Sequence, residues 1–382
     1  MQLLYRSPIF TRCYRYRTYM KIISKYAVAL VISYLLFAWL GCKKDEIKFN
    51  LIAPSEGDTT TFQGIYNIER GDSAYNTVFL DFSKDQHPAV LRSTWDLGFY
   101  CGTADFRVII NNAVGATIVQ SDKTNLNDVT LADSTATLFS RLALDATGDP
   151  TTIDPVEGDS TAYLAGTVIK AISAVSSENK VYILKRGTGT TTAYSKWIKM
   201  RIDRSTTSNG YTVTYGNLPD QTYRTITVTK DASFNFTYGS FATSTSSYEP
   251  AKKLWDISWG ISTYKVTETS KVRAEPDFVQ INFMGGVTAA EVIYGADTTK
   301  NYSNFAEKDL SGLTFSGKRD VIGTNWRNLP SSLPGTLSIK NDRFYLVKDK
   351  AGNIYKLSFL GGGSRGRPII QYKILQATTT IQ

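Results

Sequence analysis

The chain carries few residues with the chemistry of a catalyst. Histidine occurs once in 382 residues, as His87 ahead of Pro88 in a polar stretch. A single histidine excludes a multi-histidine zinc site, and it leaves room for a Ser-His-Asp triad only if this one loop residue serves. Asp96 and Asp256 each follow a tryptophan, in Thr94-Trp95-Asp96 and Leu254-Trp255-Asp256. Two carboxylates suit general acid-base work on a glycosidic bond. Recurrence at matched places suits instead a structural role, each carboxylate accepting backbone N–H groups at a strand end. The run from Gly361 to Gly366 lacks the Gly-Lys-Ser/Thr ending of a phosphate loop and reads as a turn, as does Gly285-Gly286. Met284, Tyr302 and His87 remain as side chains able to meet a metal or a cofactor.

The elements that must position these residues show a repeat. Trp95-Asp96 recurs 160 positions on, and Asn179-Lys180-Val181-Tyr182 matches Asp342-Arg343-Phe344-Tyr345 at an offset of 163. Gly210 to Tyr215 likewise runs parallel to Arg367 to Tyr372. Three matches in one order divide the chain near Pro219 into two homologous units, 60–218 and 225–375. Within them Ile198, Met200 and Ile202 alternate with Lys199 and Arg201, and Tyr355, Leu357 and Phe359 alternate with Lys356 and Ser358. Period two means strands with one buried face. Lys350-Ala351-Gly352-Asn353 reads as a hairpin connection and Gly361 to Gly366 as a longer one. Helical periodicity is scarce, with Leu138 to Leu144 the best candidate. The expected fold class is all-β, two tandem units of antiparallel sheet.

Composition agrees, with 42% hydrophobic residues, 12% aromatic and 23 Tyr. The formal charge of +9 is concentrated at the start: residues 1–41 hold six basic side chains and no acidic one, leaving 37 basic against 34 acidic elsewhere. Such a balanced surface offers no footprint for nucleic acid. Cys13, Cys42 and Cys101 have no metal or disulfide spacing, and Cys101 is expected as a small buried residue.

Met20, Lys21 and Lys25 lead into the apolar stretch Tyr26 to Leu40, which has the length of a secretory signal and is short for a membrane span. Residues 1–41 are thus read as a signal peptide, the first 19 as an upstream extension. Phe37-Ala38-Trp39-Leu40-Gly41-Cys42 resembles a bacterial lipobox, which implies lipid on Cys42 and an outer-membrane anchor; the rivals are an ordinary signal and an uncleaved anchor. Lys43-Lys44-Asp45-Glu46 resembles the export tag by which Bacteroidetes send lipoproteins to the cell exterior. Residues 42–59 read as a tether.

The leader, the Trp-Asp dipeptide and the closing pattern Phe344-Tyr345-Leu346-Val347-Lys348, Gly352-Asn353-Ile354-Tyr355-Lys356 and Ile370-Gln371-Tyr372 together resemble the HmuY family. The resemblance is best from about Thr225 to Leu375. It implies an all-β, non-enzymatic surface lipoprotein whose founding members hold haem iron between paired His or paired Met ligands, with an outer-membrane receptor as a further partner. By the family pattern the first ligand falls in Asp297 to Phe305, where Tyr302 is the iron-binding type present, and the second near Ser331. Haem, a related ligand, or a partner protein or glycan bound by a ligand-less duplicate are the functions this implies.

Overall fold

Strand formation follows the alternation and the β-branched and aromatic content, and the order of the strands is where tertiary structure adds most. The computed structural model describes residues 53–64, 75–103, 105–143, 149–187, 197–266, 271–328, 338–364 and 366–378. Residues 53–382 form one compact unit. The leader, Cys42 and most of the tether lie outside the described residues.

The strands are β1 (Gly57–Thr61), β2 (Asn76–Leu80), β3 (Ala89–Leu91), β4 (Leu97–Tyr100), β5 (Val108–Ile110), β6 (Thr117–Gln120), β7 (Val181–Lys185), β8 (Trp197–Arg204), β9 (Gly210–Asn217) and β10 (Arg224–Thr229). They continue as β11 (Phe236–Ser240), β12 (Ser244–Ser246), β13 (Ile257–Val266), β14 (Lys271–Ile281), β15 (Thr288–Ile293), β16 (Arg327–Asn328), β17 (Ser338–Ile339), β18 (Arg343–Lys348), β19 (Ile354–Ser364) and β20 (Arg367–Gln376). The all-β class is what the structure shows. Among the described residues two short α-helices interrupt it, α1 (Ala136–Arg141) and α2 (Ser160–Gly166). The first begins two residues before the expected Leu138. The second, capped by Asp159 accepting the Ala162 N–H, is too short for helical periodicity to register.

Two five-stranded sheets, β10-β9-β8-β7-β6 and β1-β20-β19-β18-β15, have one strand order; two four-stranded sheets, β12-β11-β4-β5 and β3-β2-β13-β14, have another. The first members of the two kinds pack over a core of Leu97, Phe99, Ile118, Leu184, Met200 and Tyr211. The second members pack over Leu80, Ile257, Trp259, Tyr345, Leu357 and Tyr372. Neither segment, 60–218 or 225–375, closes its sheets with its own strands alone. β1 pairs with β20 and β2 with β13, while β10 pairs with β9 and β11 with β4. Residues 97–246 thus hold one sheet pair continuously, and β1 to β3 complete the other. Three residues expected in the tether, Gly57 to Thr59, belong to β1, paired with Lys373 to Gln371.

The two four-stranded sheets face each other across an aromatic layer of Phe79, Trp95, Phe236, Tyr238, Tyr248 and Trp255. β2 is buried at all five positions because Val78 and Leu80 enter the core between sheets while Phe79 enters this layer.

Two local expectations change. The glycine run is not a long loop: β19 extends to Ser364 and β20 starts at Arg367, with the register shifting between Leu360 and Ser364. Lys199, read as facing water, is fully buried, and its ammonium donates to Val129 O at 2.7 Å. Lys356 at the corresponding place donates to Tyr302 O and Phe305 O at 2.6 and 3.0 Å. The long connections from β6 to β7 and from β15 to β18 cover the outer faces of the five-stranded sheets, and each lysine caps carbonyls of the chain above it.

Candidate functional site

The Trp-Asp motif stands at the entry to β4 and to β13, and its surroundings match in detail. Asp96 Oδ2 accepts the Phe241 N–H at 2.8 Å, and Asp256 Oδ2 accepts the Phe82 N–H at 2.9 Å. Asn111 donates from Nδ2 to Arg92 O and Trp95 O, and Asn282 donates likewise to Lys252 O and Trp255 O. A glycine with positive φ closes each following turn, Gly115 at 75° and Gly286 at 92°. Both carboxylates thus tie one strand end to another. Met284, which follows a strand-like run in the sequence, lies in this second turn after β14.

The two aspartates differ in charge balance. Asp96 meets the Arg186 guanidinium through both oxygens. Burial holds the Asp256 carboxyl well above the usual range, and the charges of Asp81 and Asp349 push it further up. Arg186 was not foreseen from the sequence: it follows β7 by one residue, and its partner is 90 positions away.

The candidate ligands for a cofactor sit in three separate environments. His87 lies in the β2–β3 turn, its Nε2 3.1 Å from Thr60 Oγ1 of β1. Met284 packs against the aromatic layer and lines a cavity beneath it. Tyr302 lies in the β15–β18 connection, edge-on to Phe344 with ring centres 5.9 Å apart, and the Lys356 ammonium stands 5.0 Å from its ring centre. Its hydroxyl is buried with no hydrogen-bond partner, and burial pushes its pKa up, against the phenolate. Ser331 lies outside the described residues. An axial pair for haem is therefore not assembled from His87, Met284 and Tyr302. Among the described residues no group of three or more His, Cys, Asp or Glu side chains is placed to hold a metal ion, and no helix is long and apolar enough to cross a membrane.

Cys101 is buried and unpaired, and burial raises its thiol pKa. That is a packing residue rather than a nucleophile.

The fold is an all-β scaffold of paired antiparallel sheets. The model of the HmuY protein family matches residues 73–372, and the chain belongs to that family, a family of binding proteins. No curated protein matches the chain. Among solved structures, apo PinO from Porphyromonas gingivitis is similar at 13% identity, over 42% of this chain and 77% of that one, with a TM-score of 0.16.

Proposed function

We propose that the protein is a non-enzymatic lipoprotein of the HmuY type, anchored through Cys42 to the outer membrane and facing the cell exterior. In this reading a duplicated sheet pair binds a partner protein or glycan without ligating haem iron through an axial pair. The observation that carries it is the separation of His87, Met284 and Tyr302 into three environments. The matched sheet orders and the matched Trp-Asp surroundings support descent from a duplication in which the first three strands of each repeat complete the other's sheets. Haem titration of the chain from Lys43 to Gln382 tests the reading. The expected result is no saturable shifted Soret band at micromolar haem. Protease shaving of intact cells tests the location, since a protected chain contradicts display.

One observation favours haem as a second reading. The Tyr302 hydroxyl lies in the segment where the family's first ligand falls, and it is buried without a partner. A tyrosine phenolate can hold haem iron. A shifted band that disappears in Tyr302→Phe would establish this reading and overturn the first.

A further inference from the structure

The aromatic layer between the four-stranded sheets is not completely filled. A cavity of about 90 Å³ remains there, bounded by Trp95, Tyr238, Tyr248 and Trp255, with Glu249 in its wall. At roughly 30 Å³ per water molecule this holds about three waters, or an organic group of similar size.

Glu249 lies between β12 and β13. Its Oε2 accepts from the Tyr238 hydroxyl at 2.6 Å, and its Oε1 accepts from Asn235 Nδ2 at 2.9 Å. Among the described residues no Lys, Arg or His stands within ion-pair distance of it. The carboxylate is half-buried and lines the cavity without a cation, and this desolvation pushes Glu249 up to about 7. The other charged group in the wall, Arg319, is already engaged. Its guanidinium donates to Gln280 Oε1, Pro155 O and Val156 O, and it lies 5.2 Å from the Tyr163 ring centre.

We propose that this cavity is a site for a small organic cation of ammonium or guanidinium type, with Glu249 as its counter-ion. The electron-rich faces of tryptophan and tyrosine attract such cations, and a carboxylate held ready by a phenol and an amide supplies the charge. A divalent metal is the wrong occupant, because Ca²⁺ and Mg²⁺ need about six or more oxygen ligands and these walls are mostly aromatic. The site is built from residues of β11, from the Trp-Asp turns of both repeats and from the turn after β14. The strand exchange therefore creates it, and it stands whether or not the protein binds haem.

The test is tryptophan fluorescence of the full chain during titration with methylammonium chloride or methylguanidinium chloride, against sodium chloride at equal ionic strength. The expected result is a saturable change in emission. Affinity should rise about tenfold per pH unit below about pH 7 and level off above it, because binding selects the ionised carboxylate. Glu249→Gln should weaken binding at pH 8 by at least about tenfold, the loss expected for a hydrogen-bonded charge pair, while melting in one cooperative transition. Binding of methylguanidinium alone would point to an arginine side chain of a partner, and binding of methylammonium alone to a free amine; either upholds the site. No saturable change, or a Glu249→Gln chain that titrates like the parent, overturns it. Should Glu249→Gln not fold, Tyr238→Phe keeps the charge and removes a bond to it. The pH dependence must then move upward, and an unmoved profile overturns the proposal.

Discussion

Arg186 Nε stands 2.7 Å from Asp96 Oδ1, and its Nη2 stands 3.1 Å from Asp96 Oδ2, with the two side chains only 2% and 4% exposed. The repeat offset of 163 that aligns β7 with β18 sets Asp349 where Arg186 stands, so the corresponding aspartate, Asp256, meets a like charge instead of a cation.

This asymmetry predicts opposite outcomes for two substitutions. Arg186→Met should cost about 3–5 kcal/mol, because it leaves Asp96 buried and unpaired. Asp256→Asn should leave stability unchanged or raise it at pH 8, since the amide oxygen still accepts the Phe82 N–H while repulsion from Asp81 and Asp349 disappears. Urea unfolding of both variants checks the contrast; equal destabilisation would contradict it.

The strand exchange predicts which pieces of the chain fold. A fragment of residues 92–250 contains β4 to β12, which make up one complete set of five-stranded and four-stranded sheets. It should give dispersed amide resonances and a cooperative melt. Residues 60–218 lack β10 and β11, keep only the last two residues of β1, and leave β2 paired with β3 but without β13. That fragment should stay unfolded or expose apolar surface to a dye such as ANS.

Stability should fall as the solution becomes more alkaline across the acid-to-neutral range. Glu249 has its carboxyl raised from 4.5 to about 7, and Asp154 from 3.8 to about 6, both chiefly by burial. The folded state then binds more protons than the unfolded one, so the slope of stability against pH is negative. Their contribution is complete below about pH 4 and is lost as pH passes about 6 for Asp154 and about 7 for Glu249. Melting temperatures between pH 4 and pH 8 test the sign, and Glu249→Gln should flatten the upper part of the curve.

Lys356→Met should loosen the connection above β19. The methionine fills the stem's place and leaves the carbonyls of Tyr302 and Phe305 without their donor, a loss of about 1–3 kcal/mol for a buried group. Hydrogen exchange should quicken across Thr298 to Leu310 and stay unchanged in β7 and β8. Uniform acceleration would show that the lysine supports the whole sheet instead.

Cys101 should resist alkylation at pH 8 in the folded chain, because burial disfavours its thiolate. Mass spectrometry of the peptide carrying it, before and after denaturation in guanidinium, distinguishes a packing residue from a reactive one.

Much of this was legible in the residues themselves. Ile198-Lys199-Met200 and Tyr355-Lys356-Leu357 declare strands because side chains alternate across a sheet. Lys350 to Asn353 declares a hairpin, realised with Gly352 at a φ of 96° and Asp349 accepting the Asn353 N–H. The recurrence of Trp95-Asp96 at Trp255-Asp256 pointed to one structural role met twice, and the carboxylates do hold equivalent backbone groups.

The sequence by itself therefore determined the class of fold and the family, because both are written in short-range pattern. It did not determine which strand lies beside which. Backbone hydrogen bonds are chemically alike in every strand, so alternation sets the buried face and leaves the partner open. Only the tertiary structure decided that β2 joins β13 and β11 joins β4, that Arg186 reaches Asp96, and that Lys199 turns inward beneath a covering connection. It also separated Tyr302, Met284 and His87 and set Glu249 among aromatic rings drawn from both repeats, since proximity across a hundred residues depends on how whole sheets stack.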